Sequence, residues 1–546
     1  MISVADMEAR RPLGEDEAAW AARVRPATVA LAILAMAALC ALALALPATT
    51  VTTKYVPELF VLLDGAYRTA LGQVPSRDFH TVLGPLAHYL PAAGILLSGR
   101  LGGAVPVGNA LFVLLLAPAM AHVLASRLRA TIALPLALFL VLILTVPLNL
   151  GETVTSLSLT RFYNRVGWAA LATLLVMYLP PLTRQRRGTL LDALAAALLL
   201  LVMLYTKATY AVVAALFLAF MLLDVGQRRW AALGLATALA AAMAVELAWR
   251  SSAAYAADLL LALRVSGALR GTAGQIAEHI LRNLADYVLF ALVAGLALWR
   301  TRSFRDLVFF LFCAVSGFLL INQNLQPWGI ISLYAGAAVA AERLARTEET
   351  VATGERWPVG LGAPLFILAL VLPTVVHCII ALGMHVALAV ARGGEEADLP
   401  NARGIRLVHL WTWGEHESAT KYLSSVQEGA EALKSLDAQP RHVFVLDFTN
   451  PFSASLGLDP ARGDTHWLLW DRTLDAHNFV PPEQLLGDVQ IVMEPKPSED
   501  DERPVDQPAS ARAIESLWQI YGPYIAANFD VVQETEHWTI HRRRES

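Results

Sequence analysis

Between residues 27 and 391 the chain is one long apolar run after another, interrupted by short polar stretches. A helix needs about 20 apolar residues to cross the hydrocarbon core of a bilayer, where every backbone N–H and C=O must be bonded within the element. A bundle of transmembrane helices is the fold that meets both demands. Candidate spans fall near 27–49, 82–98, 104–124, 131–149, 166–182, 189–205, 208–224, 230–249, 284–299, 306–322, 329–342 and 359–390. Composition agrees. Of 546 residues, 56% are hydrophobic and 16% charged, with mean hydropathy +0.51, whereas a soluble domain carries roughly a quarter charged residues. The deficit ends at 392, and 392–546 read as an ordinary soluble sequence. The expected fold is therefore mainly α: a polytopic membrane helical bundle of about 12–13 transmembrane helices, followed by a small α/β extramembrane domain.

The net charge of −4 and the lack of a basic tract with interleaved aromatics give no support to a nucleic-acid partner. Cys40, Cys313 and Cys378 all lie in apolar segments, so no disulfide framework or zinc site is expected in the soluble part. The run from Ala27 to Pro47 exceeds a signal-peptide core and reads as a retained first span.

Basic residues in short loops set the orientation. Arg10, Arg11, Arg23 and Arg25 place the tail 1–26 inside. Arg184, Arg186 and Arg187, then Arg228 and Arg229, then Arg300, Arg302 and Arg305, then Arg343, Arg346 and Arg356 mark successive inside loops. The final span then exports 392–546, in a multi-pass inner-membrane topology. An inside start and an outside end require an odd number of crossings. Twelve candidate spans therefore imply one missing or spurious crossing, and it is expected between 80 and 165, where Arg127 and Arg129 fit the rule poorly. Segments 50–81 and 250–283 are expected outside, the second containing an interfacial amphipathic helix. In the soluble part, strands are expected near 405–409, 442–447, 488–493, 529–533 and 537–541, with helices near 419–436 and 510–527. The acidic, proline-rich Lys496–Ser510 stretch reads as a disordered loop.

The first exported loop concentrates Glu58, Asp64, Arg68, Arg77, Asp78 and His80. An acid at the membrane surface can act as a general base toward a hydroxyl, and a nearby cation can steady an anionic leaving group. Solvated loop charge is the plainer reading of the same residues. The order is Glu58, then Gly72-Gln-Val-Pro75-Ser-Arg77-Asp78-Phe79-His80, then Gly84-Pro85-Leu86-Ala-His88-Tyr89-Leu90. It resembles the first exported loop of the C-type (GT-C) glycosyltransferases, sharply over about 54–91 and loosely through the many-span layout. The resemblance implies transfer of a sugar from a polyprenyl-phosphate donor to a glycan, glycolipid or protein acceptor at the outer face, with inversion and no covalent intermediate. The relatives meant are mannosyl-, aminoarabinosyl- and galacturonosyltransferases. It implies that the catalytic acid is Glu58 or Asp78. The family often opens this loop with an acidic pair where this chain has Glu58 alone, and Asp64 matches no family position. Arg77, His80 and Asp64 are candidates for substrate contact.

Lys207, between two apolar runs, suits a lipid phosphate, or simply snorkels to water beside Tyr205 and Tyr210. Arg161 and Arg165 in SLTRFYNRVGW break the positive-inside rule if that segment is outside, which suggests an anion site. The polar INQNLQPWG turn could bind sugar hydroxyls, a capped turn being the plainer reading. Asp192 and Glu246 are expected to reach headgroups. His122, His377 and His385 look isolated, and His80 and His88 show no obvious partners. No cofactor and no metal ligands are expected, and the soluble part carries no nucleotide-binding or hydrolase motif. The competing reading is a secondary transporter or lipid flippase using Lys207, Asp192 and Glu246, although neither related halves nor broken helices are visible.

Overall fold

The computed structural model describes residues 24–183, 188–266, 273–324, 326–350, 359–436, 440–496 and 510–545. Arg10, Arg11, Arg23, Arg184, Arg186, Arg187, Arg356 and most of the proline-rich stretch lie outside the described residues.

Each of the twelve apolar segments forms a helix. They are α1 (Pro26–Ala45), α3 (Leu86–Ser98), α4 (Ala104–Arg127), α5 (Ala130–Thr145), α6 (Phe162–Val176), α7 (Gly188–Thr206), α8 (Ala208–Leu222), α9 (Arg228–Trp249), α12 (Leu284–Thr301), α13 (Phe304–Gln323), α14 (Ile331–Thr350) and α15 (Val359–Ala391). Among the described residues, seven helices are long and apolar enough to cross a membrane: α1, α4 with the 3-10 turn before it, α7, α9, α12, α13 and α15. The shorter α3, α5 and α8 are also apolar. α6 is buried along its whole length.

Polar contacts sort the helix ends into two layers. At one end, Arg346 donates to the carbonyls of Pro180 and Arg127, Arg129 pairs with Glu342, and Arg305 pairs with Asp224. Arg127 and Arg129, which had looked misplaced, thus sit at the basic end with Arg305 and Arg346. At the other end, Thr53 bonds Leu157, Val51 bonds His385, Asn283 bonds Pro327, and Gly84 bonds Thr206. The helix α3 runs between two points of this second layer, from Gly84 at Thr206 to Gly102 at Arg403. At 13 residues it is also only about 20 Å long. It therefore begins and ends in the same layer, whereas the other eleven apolar helices run from one layer to the other.

The C-terminal domain follows the expected alternation. Strands β4 (Val443–Val445), β5 (Ile491–Pro495), β6 (Phe529–Glu534) and β7 (Trp538–Arg543) form a sheet in the order β4-β5-β7-β6, parallel at β4/β5 and antiparallel elsewhere. Alternate strand residues face opposite sides. Val443, Val445, Ile491 and Met493 join the cluster containing Val426, Ala430 and Leu433 of α16 (Trp413–Lys434), while Phe444 and Val492 pack with Leu517, Tyr521 and Ile525 of α19 (Ala511–Asn528). A second sheet, β1-β3-β2, ties the domain to the bundle. In it, β1 (Thr50–Thr52), just beyond α1, lies parallel to β3 (Ile405–Leu407), which is antiparallel to β2 (Glu395–Glu396), just beyond α15.

The first loop expected outside is not all loop. Residues Val56–Ala70 form helix α2, with Pro57 and Glu58 in its first turn and Arg68 in its last. Such an order suits the orphan N–H groups and positive pole of a helix start and the negative pole of its end. Leu59, Phe60, Leu62, Leu63 and Ala66 are buried, an apolar face at i, i+3, i+4 and i+7 spacing. The segment 250–283 contains two helices, α10 (Ser252–Ser266) and α11 (Ala273–Arg282). In α10, Leu260 and Leu263 are exposed while Tyr255 and Asp258 are buried, so its apolar residues are not gathered on one face as the sequence reading expected.

Candidate functional site

Helix α2 separates the loop's polar residues into two groups. Ten residues of helix put Glu58 about 15 Å from Arg68, and everything from Arg68 to His80 gathers at the far end.

At the near end, Glu58 lies 3.7 Å from Arg161, with its side chain 22% exposed. Arg161 precedes α6 in the left-handed region (φ +56) and stacks over Tyr55, 5.1 Å from the ring centre. Lys54 pairs with Glu152 at 3.1 Å and with Glu415 of α16 at 3.2 Å. The Tyr55 hydroxyl donates to Glu152. Burial pushes the Glu58 carboxyl above its ordinary range. Arg161 opposes that rise, the residue's own backbone hydrogen bond does so too, and Glu152 adds to it. Burial, with Glu152 adjacent, pushes the Tyr55 hydroxyl up to about 12.

Beside Arg161 opens a cavity with about 330 Å³ of empty space, lined among others by Asn149, Glu152, Asn164, Arg165, Asn324 and Gln326. Arg165 is 1% exposed. Its Nη1 donates to the carbonyls of Leu148 (2.7 Å) and Thr160 (3.2 Å), while Nε and Nη2 have no partner within the protein. Both amide atoms of Asn149 are likewise unpartnered. Leaving charged donors buried and unbonded costs several kcal/mol unless something occupies them. The donor set calls for an anion.

Lys207 reaches the same place from the extended backbone between α7 and α8. Its Nζ donates to Asn164 (2.8 Å) and Asn324 (2.5 Å) and lies 5.1 Å over the Tyr163 ring. This break is braced by Gly84 of the G-P-L motif, whose N–H bonds the Thr206 carbonyl. A Cβ on Gly84 would come within 2.3 Å of the Tyr205 backbone, so only glycine permits the approach. Asn324 and Gln326 of the INQNLQPWG turn, expected to be a plain cap, are cavity walls.

At the far end of α2 the cluster around Arg68 is closed, while a second cavity opens beside it, lined among others by His80, Thr81, Asp258 and Thr465. Asp64, Arg68 and Asp464 are sealed from solvent. Arg68 Nε donates to Asp64 (2.7 Å), and Nη1 and Nη2 donate to Asp464 (2.6 and 2.9 Å). Asp64, a candidate for substrate contact, has no surface to offer; it anchors the arginine that clamps the C-terminal domain, although one of its oxygens is unpaired. Burial raises the Asp464 carboxyl and Arg68 opposes the rise. Asp78 accepts from the Val74 N–H (2.8 Å) and pairs with Arg77 and Arg462 at 3.3 Å. It closes the turn that puts buried Phe79 against His88 and His466. Arg77 is half exposed at that turn.

His80, expected to lack partners, has two: Asp258 of α10 at 2.7 Å and Gln484 at 2.9 Å. His88 meets Thr81 at 3.1 Å. Of the histidines expected to be isolated, His122 pairs with Asp192 at 2.8 Å, His377 bonds the Glu152 carbonyl, and His385 accepts from Val51. Asp192 is also paired with Arg127 at 2.8 Å and is buried rather than at headgroups, because these partners offer more than water at a helix end. The structure thus brings together Glu58, Arg161, Arg165 and Lys207, and sets Asp64, Arg77, Asp78 and His80 apart from them. Sequence reading missed Lys54, Tyr55, Asn149 and Glu152, while Asn164 and Asn324 lay in stretches it had singled out. The clearest signal for them was one lysine, Lys54, and one acid, Glu152, in the polar stretches that flank the residues singled out. Among the described residues, one group could share a metal ion, Glu428, Glu536 and His537, and it belongs to neither end of α2.

No family profile and no curated protein matches the chain. Solved structures of the Archaeoglobus fulgidus oligosaccharyltransferase are similar at low identity. The archaeal enzyme AglB in complex with an inhibitory peptide and a dolichol-phosphate is 13% identical, covering 85% of this chain and 69% of that one, with a TM-score of 0.33. The complex with Zn and sulfate is 12% identical, covering 85% and 68%, with a TM-score of 0.35. The apo form is 14% identical over 85% and 69%, with a TM-score of 0.26. These values are too low to transfer a fold or an activity.

Proposed function

We propose that this membrane protein is an inverting glycosyltransferase that moves a sugar from a polyprenyl-phosphate donor to an envelope glycolipid, polysaccharide or protein at the outer face. The observation that carries the reading is a single one. An acid with a raised pKa, Glu58, stands beside a cavity into which the buried guanidinium of Arg165 brings two unbonded donors. One side of the site can take a proton and the other can hold a phosphate.

In the proposed reaction, the Glu58 carboxylate accepts the proton of the acceptor hydroxyl as that oxygen attacks the anomeric carbon. The bond from that carbon to the phosphate oxygen breaks with inversion, and polyprenyl phosphate leaves as an anion. Arg165, Arg161 and Lys207 hold the charge as it grows, where a preorganised cation is most useful. A raised carboxyl is a stronger base than a solvated one. The site lies at the end of the bundle opposite the basic layer, and the positive-inside rule makes that end the outer one. The transporter reading loses its pathway: Asp192 is held by His122 and Arg127, and Glu246 caps Ser252.

The test is transfer from synthetic polyprenyl-phosphate sugars by the protein in nanodiscs, alongside lipid analysis of cells lacking it. Transfer in vitro and accumulation of the lipid-linked sugar in those cells are expected. Sugar movement across the bilayer without transfer would overturn the reading.

A further inference from the structure

The C-terminal domain leaves two tryptophans in the open. Trp411 is 78% and Trp413 74% exposed. Among the domain's described residues, the other exposed large apolar side chains are Val531 and Val532, on edge strand β6. Folding normally buries rings of this size, and a pair left outside signals a surface they are meant for. The backbone enforces the presentation. Trp411 sits in the left-handed region at φ +59, a costly conformation for a bulky residue that persists only where its surroundings impose it. Trp413 is backed by His409, with ring centres 4.0 Å apart.

Covalent and hydrogen-bonded connections place this loop. It follows β3, whose neighbours β1 and β2 begin within five residues of the ends of α1 and α15. Val408 donates to the Thr52 carbonyl. Two residues past Trp413, Glu415 pairs with Lys54, which pairs with Glu152, whose carbonyl bonds His377 inside α15. With 33 residues, α15 is about 50 Å long. Twenty residues from its start at Val359, enough for a hydrocarbon core of about 30 Å, reach about residue 379. His377 therefore lies near the boundary, and the Trp411–Trp413 loop is linked to it through Glu415, Lys54 and Glu152. Tryptophan is the residue that favours this zone, its ring apolar and its N–H able to bond headgroups.

We propose that Trp411 and Trp413 are seated in the interfacial layer of the bilayer, on the side of the C-terminal domain. They hold that domain against the lipid surface beside the Glu58 cluster. This does not depend on the chemistry at Glu58.

The experiment places nitroxide labels at Trp411→Cys and Trp413→Cys, one at a time, in the full chain with Cys40, Cys313 and Cys378 replaced by alanine and reconstituted in phosphatidylcholine nanodiscs. Lys421→Cys, on α16 with its side chain 76% exposed, serves as the aqueous reference, and the unfolding midpoint of each labelled protein verifies the fold. At both tryptophan positions, collision with oxygen should exceed collision with a water-soluble nickel chelate by several-fold relative to position 421. Ratios equal to those at 421, or low access to both reagents at either position, would overturn the proposal.

Discussion

Glu58 and Asp64 stand six residues apart on one helix, and the two ends of α2 that they mark differ in what has been left unfinished. At the far end each nitrogen of the Arg68 guanidinium is engaged, by Asp64, Asp464 and the Ala461 carbonyl, and Asp78 is bonded to the turn that it closes, although Asp64 Oδ1 and both ring nitrogens of His466 lack partners. At the near end Arg161 stays 3.7 Å from Glu58, and Arg165 and Asn149 keep polar atoms without partners in an open cavity. The same residue types in the same loop thus do opposite work. A closed network holds two domains together, and an incomplete one waits for a ligand.

The comparison can be broken first at the closed end. Arg68→Leu leaves two buried carboxylates without a counter-charge and should cost about 3–5 kcal/mol. Thermal unfolding in detergent should show it as a large drop in midpoint or as loss of folded protein. An unchanged midpoint would mean that this end is not a joint.

The open end predicts the reverse pattern. Arg165→Met should leave the midpoint close to wild type, because it removes a buried charge with unpaired donors but also the hydrogen bonds to the Leu148 and Thr160 carbonyls. Binding of the lipid-phosphate donor should weaken by about 10- to 150-fold, the value of one hydrogen bond to a charged group at roughly 1.5–3 kcal/mol. Lys207→Met should weaken it in the same direction, with Lys207→Arg retaining part of the wild-type affinity. Equilibrium binding of a labelled polyprenyl phosphate measures both. A destabilised Arg165→Met with intact binding would blur the distinction between the ends.

A pH profile sharpens the comparison further. Glu58 must be ionised to act as a base, and burial raises its pKa. Turnover should therefore fall on acidification with a midpoint above the ordinary glutamate value of about 4.3. Arg161 opposes that rise, so Arg161→Met should move the acid limb to higher pH. A limb unmoved in Arg161→Met would separate Glu58 from the titration. The smallest effects belong to the turn: Asp78→Asn should cost about 1 kcal/mol of stability, and Arg77→Ala, at a half-exposed pair, less. Unfolding midpoints of both variants check this.

Much of the architecture is legible in the sequence, because crossing a bilayer demands apolar length and a half-buried strand demands alternation. All twelve apolar segments are helices, and the five expected strands of the soluble part overlap the observed ones. Lys207 stood out as a charge between two apolar runs. Gly84 stood out within a motif, although its reason, the approach to Tyr205, needed coordinates. Helix α2 was hidden by its own charges, which drew the eye from Leu59, Phe60, Leu62, Leu63 and Ala66. The joint could not be read at all. Arg68 and Asp464 are 396 residues apart, and no spacing rule links positions that tertiary folding alone brings together. For the same reason nothing distinguished Asp78, which finds its partners, from Glu58, which stands beside a cavity.

Glu58→Gln and Asp78→Asn, purified and assayed side by side for sugar transfer from a polyprenyl-phosphate donor in nanodiscs, test the difference between the two ends most directly. Glu58→Gln should lose about 10²–10⁴ in turnover, the usual cost of removing a general base, with an unfolding midpoint near wild type. Asp78→Asn should turn over at close to the wild-type rate. Normal turnover in Glu58→Gln together with an inactive, fully folded Asp78→Asn would move the chemistry to the other end of α2 and contradict the account.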